Sequence, residues 1–303
     1  WGDVRQGLWM SLTRSGLLRL RENPDPKNWR PHILVLSGAP RRRWPLIELA
    51  SGFTHNQALM TVCTVLPRTD STSAPAHEAE DTIRDYLGSR GVQSLVHTKT
   101  ADDPFEGAER IVENYGIGPL RPNTIMLGHT EDADHHERFC RLITHLYEAR
   151  RNVVVFRGGE QGFGNRQQID VWWSGLKGNG GLMKILAYLL QTNVEWQSAD
   201  VRLNVVANSE AEVQERRNTL GPIVDQLRTG ASLNIILAKG RSFETIVHDA
   251  SANADVVFLG MASPKDEDDY ASYYTRLQER TAGLPPTVFV LAAEEISFRE
   301  VLT

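Results

Sequence analysis

The sequence has little cysteine: only Cys63 and Cys140 in 303 residues, and the two stand far apart and outside any CxxC pair. A disulfide framework and a zinc site are therefore unsupported, and a reducing cytoplasmic setting is expected. Long apolar runs are also missing. None approaches the ~18 residues that cross a bilayer, and charges interrupt the start of the chain, where a signal peptide has its apolar region. The net charge of −5 lacks the basic excess of nucleic-acid-binding domains, so no nucleic-acid partner is expected.

The sequence signatures of catalysis are missing too. Neither Ser37 nor Ser174 lies in the G-x-S-x-G turn of an α/β-hydrolase, and the sequence has no G-x-x-x-x-G-K-[ST] loop. His135 and His136 follow several acidic residues, but adjacent side chains of a helix point to different faces. Acidic residues at a helix start also complement the helix dipole. We therefore expect no metal site, no catalytic centre and no enzyme activity.

Apolar runs of strand length alternate with segments that have the period of a helix, and the second half of the chain repeats the scheme of the first. Strands that read as continuous apolar runs are typical of parallel sheets covered by helices on both faces. The predicted strands are 32–37, 58–66, 94–98, 124–128, 152–157, 169–174, 201–207, 233–239, 255–260 and 287–292. The predicted helices between them are 45–56, 74–90, 103–115, 132–150, 180–193, 210–228, 242–253 and 270–282.

This repeat predicts an α/β fold with two tandem doubly wound parallel-sheet lobes. The glycine-rich stretch 158–165 is the expected seam, so the first lobe spans 26–165 and the second 166–303. An amphipathic helix precedes them, and the region 1–25 is interpreted as a linker. Its apolar stripe must pack on the lobe, on a partner subunit or near a membrane surface. The stripe consists of Val4, Leu8 and Leu12.

Glycine-rich turns follow the first strand of each half. In a doubly wound sheet of order 3-2-1-4-5, ligands bind where strands 1 and 4 diverge, and guanidinium groups match phosphate geometry. The candidate residues for an adenine nucleotide such as ATP are therefore Gly38, Arg41, Arg42, Gly128 and His129. A solvated loop at 41–43 is the alternative. In the second half, 175–181 fits G-x-G-x-x-G poorly, and a tight turn with close helix packing is the simpler interpretation.

Several stretches resemble cation-chloride cotransporters. The segment 28–36 (NWRPHILVL) resembles the opening of their cytoplasmic C-terminal domain, and 116–128 (GIGPLRPNTIMLG) is similar to their GLG…NTVVMG stretch. A third block resembles the family's IDVWW…GGL…LL…W…IR in the same order. It consists of 169–173 (IDVWW), 180–182 (GGL), 186–190 (LAYLL), Trp196 and 201–203 (VRL). Together with the opening helix, the resemblance covers essentially the whole chain.

The resemblance implies the cytoplasmic C-terminal domain of a cotransporter that moves chloride with sodium, potassium or both, within the amino acid–polyamine–organocation superfamily. It further implies lobes resembling universal stress proteins, a regulatory role and a homodimer. The transmembrane domain of the same polypeptide would be a partner, which places the chain at the cytoplasmic face of the cell membrane. Contact with the membrane would then come only through that missing N-terminal part.

Two features qualify the resemblance. The short loop at 68–77 stands where animal members carry long insertions with regulatory phosphorylation sites, which is typical of a prokaryotic member. The polar stretch 69–75 within it is either a connection or a phosphorylation site. The stress-protein signature G-x2-G-x9-G-[ST] is not evident, so no cofactor is expected. The alternatives are a nucleotide-sensing module like the universal stress proteins, and the tail of a related amino acid permease.

Overall fold

The computed structural model describes residues 4–20, 29–55, 58–68, 74–130, 132–159, 162–173, 178–226 and 230–293. Their helices are α1 (Val4–Arg19), α2 (Trp44–Thr54), α3 (Ala74–Ser89), α4 (Pro104–Asn114), α5 (His136–Glu148), α6 (Asn179–Gln191), α7 (Glu210–Gln226), α8 (Phe243–Ser251) and α9 (Tyr270–Arg280). Their strands are β1 (Ile33–Leu36), β2 (Met60–Pro67), β3 (Leu95–Ala101), β4 (Thr124–Gly128), β5 (Asn152–Arg157), β6 (Gln168–Trp172), β7 (Asp200–Ala207), β8 (Ser232–Leu237), β9 (Val256–Gly260) and β10 (Thr287–Leu291).

Every predicted strand and helix is confirmed, with ends that differ by a few residues. Local chemistry explains several of the starts. Asp103, Ser242 and Asp269 each precede a helix and accept hydrogen bonds from its first backbone N–H groups. The polar loop residues 69–73 lie outside the described residues.

The strands form one sheet with the order β3-β2-β1-β4-β5-β10-β9-β6-β7-β8. The first half has the predicted order 3-2-1-4-5 and is parallel throughout, and the second half repeats that order with β6 to β10. The halves meet where β5 and β10 pair antiparallel, with Val155 opposite Phe289. This pairing covers two strands that would otherwise be open edges. The sequence repeat alone did not predict this junction.

The core continues across the junction on both faces of the sheet. Val288 and Val290 of β10 belong to one apolar layer, while Phe289 and Leu291 belong to the other. On the first face α2 packs against α6, so closely that a Cβ on Gly52 would lie 2.8 Å from Leu190. On the second face α5 packs against α9. The two halves therefore share their hydrophobic core, and both cysteines are buried in it as free thiols.

The glycine-rich seam between β5 and β6 is held from the second half by Asp255. Its carboxylate accepts hydrogen bonds from the backbone N–H groups of Asn165 (3.0 Å), Gln167 (2.6 Å) and Gln168 (2.9 Å). A carboxylate that accepts several backbone donors fixes a turn firmly. The division of the chain at residue 165 into two domains stays a prediction.

The predicted opening helix forms as α1, and much of its apolar surface faces solvent. Leu8 is 60% exposed and Leu12 is 53% exposed, and Trp9 and Met10 are exposed beside them. The side chain of Val4 lies outside the described residues. Leu17, near the end of the helix, is half-buried against the first half of the sheet. Of the helices described, none is long and apolar enough to cross a membrane.

Candidate functional site

The predicted nucleotide crevice lies at the carboxyl ends of β1 and β4, which pair in parallel up to Leu36 and Leu127. Gly38 follows β1 with a φ of +60°, a conformation that favours glycine, and its carbonyl accepts a hydrogen bond from Thr64 Oγ1 at 2.8 Å. Gly128 ends β4 and His129 follows it. The fold thus brings these three candidates to one edge of the sheet.

Arg43 is the arginine that enters this crevice. Its guanidinium lies against the backbone of Gly128, in the space that a Cβ would need there. Burial lowers the pKa of Arg43 from its usual value. Arg41 and Arg42 are exposed instead, and Arg41 lies over the ring of Tyr86. The crevice is therefore occupied by a side chain that did not stand among the candidates. One feature of the sequence could have indicated Arg43: it directly precedes α2, which begins at the crevice.

His129 contacts the second half of the chain. Its Nδ1 lies 3.1 Å from Tyr274 Oη and 3.3 Å from Gln278 Nε2, both on α9. Burial, together with the charges of Arg157, Arg43 and His136, lowers the pKa of His129 to about 4. The ring is thus uncharged near pH 7 and serves as a polar contact at the junction of the two halves.

The corresponding crevice of the second half is filled by Asn179, the first residue of α6. A Cβ on Gly260, the counterpart of Gly128, would lie 3.0 Å from the Asn179 amide nitrogen. That amide donates to the carbonyl of Met261 (2.6 Å) and accepts from the N–H of Ala292 (2.7 Å), which joins the ends of β9 and β10. Residues 175–177 of the glycine-rich turn lie outside the described residues.

The histidines of the α5 region have separate partners. His135 Nδ1 lies 3.0 Å from a carboxylate oxygen of Asp132. His136 Nε2 lies 2.9 Å from Thr275 Oγ1 and 3.1 Å from the carbonyl of Ala271 on α9. The two rings therefore do not converge on one point. In the described ranges, no cluster of three or more His, Cys, Asp or Glu side chains could hold a metal ion.

Residues 169–172 of the IDVWW segment lie in β6 and carry a buried polar network. The fully buried carboxylate of Asp170 accepts two hydrogen bonds from Arg202, each of 2.8 Å, and one from Ser251 Oγ at 2.7 Å. The Ser251 hydroxyl in turn accepts from the indole N–H of Trp172 at 2.9 Å. Hydrogen bonding to Asp170 raises the pKa of Arg202. The network joins β6, β7 and α8, and this bonding explains the polar residue in an otherwise apolar strand.

The comparisons with known proteins agree with this architecture. The family model of solute carrier family 12 matches residues 43–165 and 163–242. A crystal structure of the cytoplasmic domain of a prokaryotic cation chloride cotransporter is similar over 89% of this chain and 99% of that chain, with a TM-score of 0.67 and 17% sequence identity.

Two further solved structures share the fold. A universal stress protein from Archaeoglobus fulgidus DSM 4304 has a TM-score of 0.51 and 12% identity, over 84% of this chain and 95% of that chain. A functionally unknown protein from Pseudomonas aeruginosa PAO1 has a TM-score of 0.54 and 13% identity, over 87% and 93%. The predicted likeness to universal stress proteins is thereby confirmed for the fold.

Proposed function

Because the chain belongs to solute carrier family 12, we propose that it is the cytoplasmic regulatory and dimerisation domain of a cation-chloride cotransporter. The observation that carries the proposal is the family match itself, which runs from residue 43 to residue 242 and so includes parts of both halves of the sheet. In this role the chain pairs with a second copy of itself and changes the rate of transport, and it catalyses no reaction. The transported ions pass through another part of the polypeptide.

The cytoplasmic position has a direct test. In sealed vesicles that contain the full-length protein, a protease added to the cytoplasmic side should cleave within this chain. The same protease added to the opposite side should leave it intact. Cleavage only from the opposite side would contradict the proposed location.

Dimerisation is supported by α1. Leu8 and Leu12 are exposed and lie one turn apart on the same side of the helix, and neighbouring exposed apolar side chains of this kind are typical of an interface. Sedimentation equilibrium should give a dimer for the chain. Leu8→Asp combined with Leu12→Asp should weaken that dimer, while Val194→Asp, which changes an exposed residue of the second half, should not. A wild-type monomer at high concentration would contradict the proposal.

Nucleotide sensing is the competing function. The residues in the crevice of the first half indicate whether a nucleotide should bind there. Arg43 fills the space beside Gly128, so ATP, ADP and AMP should each give no binding heat in calorimetry. Saturable heat with any of them, lost in Arg43→Ala, would instead support a nucleotide site in which the guanidinium contacts phosphate.

A further inference from the structure

A cavity of about 590 Å³ lies at the amino ends of the first strands, at the edge of the sheet opposite the nucleotide crevice. Its size is within the range of about 300–1,000 Å³ that proteins use for one small ligand. The lining comes from α1, from the residues directly before β1 and β2, from β3, and from the second half of α4 with the loop that follows it. The apolar lining residues are Leu17, Leu59, Leu95, Ile111, Ile117 and Leu120.

The apolar lining is unusually accessible. Leu59 is 40% exposed, Leu95 is 55% exposed and Ile117 is 78% exposed. Exposed apolar side chains that converge on one concavity are typical of binding sites, whereas single ones are ordinary. Leu17 contributes the side of the cavity that belongs to α1, so an occupant would contact both the linker helix and the lobe.

The polar part of the lining is cationic. Lys99 and Arg110 line the cavity, and none of the described lining residues is acidic. Arg110 is paired with Glu106, whereas Lys99 forms no salt bridge with any residue that the structure describes. The lining also includes His32, which is half-buried.

From these features we infer that the cavity binds a free, single-chain amphipathic anion, a fatty-acid-like molecule with one apolar chain and one carboxylate. The chain lies among the leucine and isoleucine side chains, and the carboxylate pairs with Lys99. This inference goes beyond the proposed function and does not depend on it, because the binding can be measured on this chain alone.

The test is calorimetry with decanoate below its micelle concentration, with decyltrimethylammonium as the probe of opposite charge. One decanoate should bind per chain, and the cation should bind much more weakly. Ile117→Glu should weaken decanoate binding by about tenfold or more, because it puts a negative charge into the apolar lining that holds the chain of the anion. Val194→Glu is the matched control, since Val194 is also 78% exposed and lies outside the cavity.

Lys99→Gln should weaken decanoate binding, whereas Lys265→Gln, on the second half of the chain, should not. Both glutamate variants alter exposed positions, and urea unfolding curves will show that they fold. Absence of one-to-one binding, equal binding of the cation, or unchanged binding in Ile117→Glu would each overturn the inference. Co-sedimentation with phosphatidylglycerol vesicles that is lost in Ile117→Glu, without decanoate binding, would assign the cavity to a bilayer lipid and overturn the proposed ligand.

Discussion

The buried carboxylate of Asp170 supports a quantitative prediction for Asp170→Asn. The substitution keeps the shape of the side chain but removes the charge that Arg202 and Ser251 bond to. Breaking a buried ion pair costs about 3–5 kcal/mol because the remaining charge is left without a partner. Arg202 keeps 29% of its side chain exposed, and water solvates part of its stranded charge. We therefore expect the lower end, a loss of about 3 kcal/mol in the free energy of unfolding.

Urea denaturation followed by tryptophan fluorescence measures this loss. The matched control is Asp249→Asn, which removes the carboxylate of an exposed pair with Arg241, where the side chains are 62% and 40% exposed. An exposed pair contributes about 0–1 kcal/mol, so the control should unfold nearly as the wild type does. If Asp170→Asn costs no more than Asp249→Asn, the structural importance of the network is refuted.

Two further predictions concern the packing of α4 on the sheet and the pH dependence of stability. Gly107→Ala should destabilise the chain by about 1–3 kcal/mol, because its Cβ would meet side chains of β2 and β3 at 2.6 and 2.9 Å. Gly88→Ala, within α3 and with open space around it, should stabilise it by about 0.5–1 kcal/mol; equal effects in urea titrations would contradict the packing. The pKa of His129 is about 4 in the folded chain against 6.5 unfolded, so protonation favours unfolding, and stability should fall as the pH drops from 6.5 towards 4. His129→Gln should make that dependence shallower between pH 7 and 5, as measured by urea unfolding across that range, and an unchanged slope would contradict the prediction.

The fold was largely predictable because its elements carry strong local signals. Runs such as 124–128 and 256–260 are continuous and apolar since both faces of the sheet are covered. The antiparallel pairing of β5 with β10 was not predictable in the same way. It depends on which sheet edges meet in space. The apolar pattern of 152–157 and that of 287–292 do not identify the strand with which each one pairs. The exposure of α1 was left open for a related reason, because periodicity shows an apolar stripe and not what covers it.

The location of the candidate site was predictable from the sequence, but the side chain that fills it was not. Strand order put Gly38, Gly128 and His129 at one edge, and the structure places them there. Which of three consecutive arginines turns inward depends on the phase of α2 relative to the sheet, and the structure selects Arg43. The polar contacts of His129 come from α9, more than a hundred residues later, and no local pattern links them.

The central claim, that this chain belongs to a working cation-chloride cotransporter and regulates it, is tested most directly by transport. The measurement is uptake of radioactive sodium or rubidium, as a stand-in for potassium, by the full-length protein in proteoliposomes, with and without chloride and with and without this chain. We expect cation uptake that requires chloride and whose rate changes when the chain is removed. Uptake that is indifferent to chloride, or a rate that is the same without the chain, would contradict the account.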